Sequence, residues 1–213
     1  MHKGLTELVF ILDRSGSMEG LEGDTIGGFN SMIKKQKQLN GDCVVSTMLF
    51  DNQVQILHDR IDIRKIPEMT TKDYYVQGCT ALWDAMGSAI HHIRNVHKYI
   101  RKEDVPERTM FVVTTDGMEN ASRTYFADQV KSMVKQQKKQ GWEFLFLGAN
   151  IDAISTARNL GIRPERAVTF TNDSQGVATN YEAVSEAISA FRASRLVDNA
   201  WKRKIEADHR RKR

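Results

Sequence analysis

An apolar segment that stops abruptly at a polar turn constrains the fold of this chain more than any other feature. No polar residue interrupts residues 8–12, and Asp13-Arg14-Ser15-Gly16-Ser17 follows them directly. A short, fully apolar run of this kind is typical of a strand buried on both faces. The turn that leaves it carries one carboxylate and two hydroxyls, which are oxygen donors of the kind that hard cations prefer.

Strand-like and helix-like segments alternate along most of the chain. The predicted strands are 8–12, 43–50, 54–57, 110–115, 142–147 and 167–170, and the predicted helices are 23–39, 81–100, 125–140 and 151–160. This alternation predicts the α/β class: a Rossmann-like, doubly wound, mainly parallel sheet with helices on both faces. The connection Asp51-Asn52 is too short for a crossover, so we expect one antiparallel edge strand.

Two later segments add oxygen donors at equivalent places. Thr80 lies in the loop before the second predicted helix, and Asp116 follows the apolar strand 110–115. Ligands of open α/β sheets gather outside the carboxyl ends of the strands. We therefore expect the following residues to converge on a metal site: Asp13, Ser15, Ser17, Thr80 and Asp116. Taken singly, each has a structural alternative, because Asp, Ser and Thr also cap helices and Asp-Gly is a common turn pair.

The combination of Asp13-x-Ser15-x-Ser17, Gly78-Cys79-Thr80-Ala81-Leu82 and Thr115-Asp116-Gly117 resembles the metal-ion-dependent adhesion site of the von Willebrand factor A domain family. The resemblance runs from residue 5 to about residue 148 and includes segments typical of the intracellular bacterial and phage-related members. The motifs occur in the family's order, each at the expected end of a predicted element.

The resemblance implies a bound Mg²⁺, with Mn²⁺ and Ca²⁺ as alternatives. Ser15 and Ser17 would bind the ion directly, and Thr80 directly or through a water molecule. Asp13 and Asp116 would hold coordinated waters and orient the serines. One position would stay open for a Glu or Asp of another protein. We therefore expect a Mg²⁺-dependent protein-binding domain and no enzymatic activity.

Two other functions stay open at this stage. A metal-dependent phosphoester hydrolase would rest on the metal alone, because Ser15 stands where a haloacid-dehalogenase phosphatase has its second acid and no Gly-x-Ser-x-Gly elbow is present. The histidines lack metal-ligand spacing to the acidic cluster and are expected on the surface or hydrogen-bonded in the core. The second alternative is a nucleic-acid-associated protein that uses a basic C-terminal tail.

We expect one domain, to which the C-terminal part adds a helix. We assign residues 1–180 to the von Willebrand factor A-like domain and 181–213 to one long amphipathic helix whose first half docks on that domain. Its basic second half, beyond Trp201, is expected to have few apolar anchors and either to project into solvent or to fold against a partner. The basic residues of this tail are Lys202, Arg203, Lys204, Arg210, Arg211, Lys212 and Arg213.

Several residues near the motifs carry weaker expectations. Asp84, Glu119 and Asn120 are expected to be solvated surface residues, whereas Met18, Trp83 and Met118 are expected either to ring the site or to pack below it. The pair Gly27-Gly28 predicts a close approach of backbone to a strand or loop.

Composition sets the remaining bounds. The chain has 213 residues, of which 40% are hydrophobic, enough for one substantial core. No segment approaches the roughly 20 consecutive apolar residues of a membrane span, and residues 1–4 lead into a strand, so we expect a cytoplasmic protein without membrane contact. We expect Cys43 in the core and Cys79 in a loop, both as reduced thiols. The sequence predicts neither the partner's identity nor the oligomeric state.

Overall fold

The structure is a computed structural model that describes residues 1–149, 151–193 and 196–212. Within these residues the strands are β1 (His2–Asp13), β2 (Cys43–Phe50), β3 (Val54–Asp62), β4 (Pro106–Thr115), β5 (Glu143–Ala149) and β6 (Ala167–Phe170). The α-helices of the described residues are α1 (Glu22–Lys37), α2 (Leu82–Tyr99), α3 (Ala127–Lys139), α4 (Ala153–Asn159), α5 (Ser174–Arg192) and α6 (Arg203–Arg211).

The described strands form one sheet in the order β3-β2-β1-β4-β5-β6. All neighbouring pairs are parallel except β2 and β3, which are antiparallel, so β3 is the antiparallel edge strand. The predicted α/β class and mainly parallel sheet are confirmed. The chain moves from β1 outward to β2 and later returns to the other side of β1 as β4. The strand order therefore reverses between β1 and β4, where this class of sheet binds ligands.

Helices cover both faces of the sheet. One apolar core joins the sheet to α1, α5 and α6, and the other joins it to α2, α3 and α4. Along β1, Leu8 and Phe10 belong to the first core, whereas Val9 and Ile11 belong to the second. Burial on both faces explains why residues 8–12 contain no polar side chain.

The C-terminal part differs from the predicted single helix. Helix α5 ends at Arg192, residues 196–198 are not helical, and α6 begins only at Arg203 after a short 3-10 turn. Ser194, Arg195 and Arg213, which the predicted helix and tail included, lie outside the described residues. Trp201 and Ile205 are 5% and 1% exposed, so the second half is anchored on the domain rather than projecting from it. The change of direction lets these apolar residues pack beside β6.

Gly28 of α1 provides the close approach that the glycine pair predicted, but its neighbour is a helix. A Cβ on Gly28 would lie 2.3 Å from the ring of Tyr181 in α5, whereas a Cβ on Gly27 would meet nothing within 4 Å. The glycine thus brings α1 and α5 together, and α5 is held against the face of the sheet that carries Leu8 and Phe10.

Within the described part of the chain, no helix combines the length and apolar character needed to cross a membrane.

Candidate metal centre

The ends of β1 and β4 place a carboxylate and a hydroxyl side by side. The parallel register pairs Leu12 with Thr114, so Asp13 and Thr115 leave the sheet as neighbours. Thr115 Oγ1 donates a hydrogen bond of 2.5 Å to Asp13 Oδ2, and the backbone N–H of Ser15 donates one of 2.7 Å to Asp13 Oδ1. Asp13 is 1% exposed. Both of its oxygens therefore have donors within the protein.

Three hydroxyls from two distant loops meet above this carboxylate. Thr80 Oγ1 lies 2.9 Å from Ser15 Oγ, and Ser15 Oγ lies 3.2 Å from Ser17 Oγ. Ser17 Oγ in turn donates a short hydrogen bond to Asp116 Oδ1. Ser15 and Thr80 are buried, whereas Ser17 is exposed, so the cluster of three hydroxyls is open to solvent on the Ser17 side. The structure thus brings all five predicted site residues together.

Thr80 is held in place by an asparagine on the loop after β4. Asn120 Oδ1 accepts a hydrogen bond of 2.9 Å from the Thr80 backbone N–H, and the Asn120 N–H donates one of 3.0 Å to the Thr80 carbonyl. The two bonds fix both the N–H and the carbonyl group of Thr80. The position of the Thr80 hydroxyl therefore depends on the same loop that carries Asp116.

A buried ion pair joins the first loop to the Thr80 loop. Arg14 Nε lies 2.8 Å from Asp51 Oδ2, and both side chains are 4% exposed. Gln77 Nε2 donates 2.8 Å to the same Asp51 oxygen, while the Gln77 N–H donates 2.9 Å to the Arg14 carbonyl. Burial strengthens these contacts because water does not screen them. The network ties together the loops that carry Ser15 and Thr80.

Both carboxylates of the site are deprived of solvent. Burial raises the pKa of Asp13 to about 6, although the hydrogen bonds from Ser15 and Thr115 oppose the rise. Burial also raises the pKa of Asp116, against the hydrogen bonds from Ser17 and Asn172. Desolvation disfavours the ionised forms, and a nearby cation would favour them. A cation bound beside the two carboxylates would therefore stabilise their ionised forms.

The donor set fits a hard divalent ion. Neighbouring ligands of an octahedral Mg²⁺, each about 2.1 Å from the ion, are about 3 Å apart. The distances between the Ser15 hydroxyl and those of Ser17 and Thr80 are 3.2 and 2.9 Å. No group of three or more His, Cys, Asp or Glu side chains within the described residues is arranged to hold a metal. The residues present suit an oxygen-preferring ion such as Mg²⁺ or Mn²⁺ better than one that prefers Cys and His.

The expectation of solvated surface residues was wrong for Asp84 and Glu119, which are half-buried, whereas Asn120 is exposed as expected. Asp84 accepts hydrogen bonds from the backbone N–H groups of residues 123–125, and Glu119 accepts from those of Trp83, Ala121 and Ser122. These carboxylates fix the loop after β4 to the start of α2. Since that loop carries Asn120, they support the position of Thr80 indirectly.

The rim of the site is partly apolar. Met118, next to Gly117, is 75% exposed, and Tyr75 is 45% exposed with its ring 5.0 Å from the Arg14 guanidinium. Trp83 is half-buried, whereas Met18 is 2% exposed and packs below the loop. Of the three residues considered for a rim, Met118 is the one freely available to a partner.

Sequence reasoning missed four residues that shape the site: Arg14, Asp51, Thr115 and Asn172. Thr115 could have been found from strand adjacency, because it ends the strand next to β1. The other three act across loops that are far apart in sequence, and a single sequence carries no signal for such pairs.

Comparison with known proteins gives structural matches only. No family model matches the chain, and no curated protein matches it by sequence. Among solved structures, a von Willebrand factor type A protein from Catenulispora acidiphila superposes with a TM-score of 0.58 and 13% identity, covering 87% of this chain and 42% of that one. This chain has the von Willebrand factor A fold.

Two further structures with this fold hold metals. Proximal thread matrix protein 1 from the mussel byssus, solved with zinc in its metal-ion-dependent adhesion site, has a TM-score of 0.59 and 15% identity over 87% of this chain and 46% of its own. Manganese-loaded TRAP protein from Plasmodium vivax has a TM-score of 0.58 and 17% identity over 84% of this chain and 72% of its own. The present chain spans about half the length of the mussel protein.

Proposed function

We propose that this chain is a protein-binding domain that depends on a divalent cation, with Mg²⁺ as the preferred ion. The observation that carries the proposal is the cluster of Ser15, Ser17 and Thr80 hydroxyls, separated by 2.9 and 3.2 Å, with two desolvated carboxylates beside them. The metal-loaded mussel and Plasmodium proteins of the same fold support a divalent ion at this place.

The hydrogen bonds of the site suggest separate roles for hydroxyls and carboxylates. Both oxygens of Asp13 already accept from Ser15 and Thr115, and both oxygens of Asp116 accept from Ser17 and Asn172. Ser15, Ser17 and Thr80 would therefore bind the ion, while Asp13 and Asp116 orient these hydroxyls and hold water. Because hydroxyls are neutral, a bound ion keeps most of its charge and attracts one more anionic ligand.

A partner's Glu or Asp is the ligand that this arrangement favours. The site opens to solvent on the side of Ser17, and the exposed Met118 stands beside it. An acidic side chain flanked by apolar residues would match the charged centre and the apolar rim at the same time. The partner is thus proposed to be another protein rather than a small substrate.

We also propose that the chain is not an enzyme. Metal-assisted hydrolysis needs a group that activates or protonates the reacting atoms. Two buried or half-buried histidines are used elsewhere, since His58 pairs with Thr47 and His97 with Glu7. Among the described hydrogen bonds, the three hydroxyls contact one another and the carboxylates of Asp13 and Asp116. These contacts favour binding over catalysis.

The basic tail gives little support to the nucleic-acid alternative. Lys204 lies near Glu182 and Glu186, and Lys212 lies near Asp173 and Asp208. Such pairs reduce the charge available to phosphates. The cytoplasmic location stays a prediction from the sequence.

Titration of Mg²⁺ into the wild type and Thr80→Val, followed by calorimetry, tests the metal site. Thr80→Val keeps the shape of the side chain and removes one proposed ligand, so we expect affinity to fall at least about tenfold. Thr124→Val, on an exposed stretch of the next loop, is the matched control and should bind as the wild type does. Equal binding by Thr80→Val and wild type would refute the proposed metal site.

A carboxylate probe tests the open position. Acetate should change the electron paramagnetic resonance spectrum of Mn²⁺ bound to the wild-type domain, whereas chloride at the same ionic strength should not. An unchanged spectrum at saturating acetate would reject the proposal that the ion accepts a partner's carboxylate.

A panel of phosphoesters, assayed with and without chelator, tests the proposal that the chain does not hydrolyse phosphoesters. Turnover that disappears with chelator would contradict that proposal.

A further inference from the structure

Asn172 contacts the site from an element that the sequence motifs do not include. It lies in the loop between β6 and α5, and its Nδ2 donates a hydrogen bond of 3.2 Å to Asp116 Oδ2. The other oxygen of Asp116 accepts from Ser17. The Asp116 carboxylate is therefore held from two sides, by one residue of the first loop and one residue of the loop after β6.

The second polar atom of Asn172 has no partner. Its Oδ1 is buried and makes no hydrogen bond within the described structure. A buried acceptor without a donor costs roughly 1–3 kcal/mol, so such atoms commonly mark a place where water or a ligand binds. Among the described residues, the only hydrogen bond of the Asn172 side chain is therefore the one to Asp116.

The loop around Asn172 is anchored on both sides. Asp173 Oδ1 accepts a hydrogen bond of 2.7 Å from the Gly176 N–H and thereby caps α5. A Cβ on Gly176 would lie 2.0 Å from the Thr171 carbonyl oxygen, so the turn packs tightly on itself. Lys212, the residue directly after α6, donates hydrogen bonds of 2.7 and 2.8 Å from its Nζ to the Asp173 carboxylate. These contacts restrict how far Asn172 can move away from Asp116.

We propose that Asn172 is a positioning residue of the metal centre. Its amide N–H fixes the rotamer of Asp116, which in turn orients Ser17. The inference rests on the proposed function, because it assigns a role toward the ion at that same site. It adds a fourth chain segment to the three that the motifs provide.

The test compares the Mn²⁺ affinity of wild type and Asn172→Leu. Affinity is measured from the electron paramagnetic resonance signal of free Mn²⁺. Leucine keeps the size of the side chain and removes both polar groups. We expect the dissociation constant to rise about tenfold, as for other residues that orient metal ligands. Thr171→Val, in the same loop and without contact to Asp116, is the matched control and should leave the constant within about twofold. Asn172→Ala serves as a second variant if Asn172→Leu does not fold, as judged by thermal unfolding without metal.

A double-mutant cycle with Asp116→Asn separates a positioning role from a general structural one. If Asn172 acts through Asp116, Asn172→Leu should cause no further loss of affinity once Asp116 has been replaced. An equal loss in both backgrounds would overturn the inference, and so would unchanged affinity in Asn172→Leu. In both of these cases a wild type that still binds Mn²⁺ leaves the proposed function standing. A folded wild type that binds neither Mn²⁺ nor Mg²⁺ would instead refute the proposed function, and this inference with it.

Discussion

Gly117 lies directly against Thr80, so that a Cβ on Gly117 would be 2.6 Å from Thr80 Oγ1 and 3.0 Å from Ser17 Oγ. The absence of a side chain at position 117 is therefore a requirement of the hydroxyl cluster. Gly117 is not among the glycines with positive φ, so the requirement is one of space and not of backbone conformation. The structural alternative for Asp116-Gly117 was an ordinary turn pair, and the structure gives Gly117 a specific place against the hydroxyl cluster.

We predict that Gly117→Ala weakens Mg²⁺ binding at least about tenfold, because the new methyl group must displace the hydroxyl of Thr80 or Ser17. Calorimetric titration measures the change. Gly23→Ala is the control, since a Cβ at position 23 would meet nothing within 4 Å. Wild-type affinity in Gly117→Ala would show that the hydroxyl positions seen here are not those that bind the ion.

Asp13→Asn should change stability and metal binding in opposite directions. Asparagine can accept from the Ser15 N–H through its oxygen and donate to Thr115 Oγ1 through its nitrogen, so both contacts of Asp13 survive. The buried negative charge disappears, and burial is what raises the Asp13 pKa to about 6. We expect the metal-free variant to be more stable than wild type by about 1–3 kcal/mol at pH 7.

The same variant should bind Mg²⁺ at least about tenfold more weakly, since one of the two carboxylates that favour a cation is lost. Urea unfolding in the presence of chelator measures the first effect, and calorimetry measures the second. A metal-free Asp13→Asn protein that is less stable than the wild type would contradict the argument.

Much of the fold and the convergence of the five candidate residues could be predicted because the informative signals are local. Each core strand is a short apolar run, and Asp13 and Asp116 directly follow two of them. Once the class of sheet is known, strand ends converge by geometry. Cross-loop contacts such as Arg14 with Asp51 have no comparable local signal, because each partner alone resembles an ordinary loop residue.

The C-terminal helix was mispredicted for a related reason. Apolar residues recur at helical spacing on both sides of the break between α5 and α6, and no Gly or Pro stands between Arg192 and Arg203 to mark the end of a helix. The apolar residues after the break face the core because the chain turns, not because the helix continues. Periodicity reports which side chains are buried, and it does not distinguish these two ways of burying them.

Adjacent glycines in α1 should respond to alanine with opposite signs. A Cβ on Gly28 would overlap the Tyr181 ring at 2.3 Å, so Gly28→Ala should push α1 and α5 apart and lower the free energy of unfolding by about 1–3 kcal/mol. Gly27→Ala meets nothing within 4 Å and should raise it by about 0.5–1 kcal/mol through helix propensity. Urea unfolding of the two variants measures both changes, and changes of equal sign would contradict the packing described here.

His58 should make a contribution to stability that is lost in mild acid, opposite in sign to the contribution of Asp13, whose pKa is raised. This residue is 4% exposed, its Nδ1 lies 3.0 Å from Thr47 Oγ1, and burial lowers its pKa, while Asp73 acts weakly in the opposite direction. In the unfolded chain the pKa is about 6.5, so the unfolded state takes up a proton first as the pH falls. The stabilisation from neutral His58 is therefore present above about pH 6.5 and is lost as the pH falls through the lowered pKa of the folded state. His58→Gln should therefore gain stability relative to wild type when the pH is lowered from 7 to 5, as measured by the free energy of unfolding. The exposed His91→Gln is the control and should behave like wild type. Parallel pH profiles of wild type and His58→Gln would show that His58 does not carry this dependence.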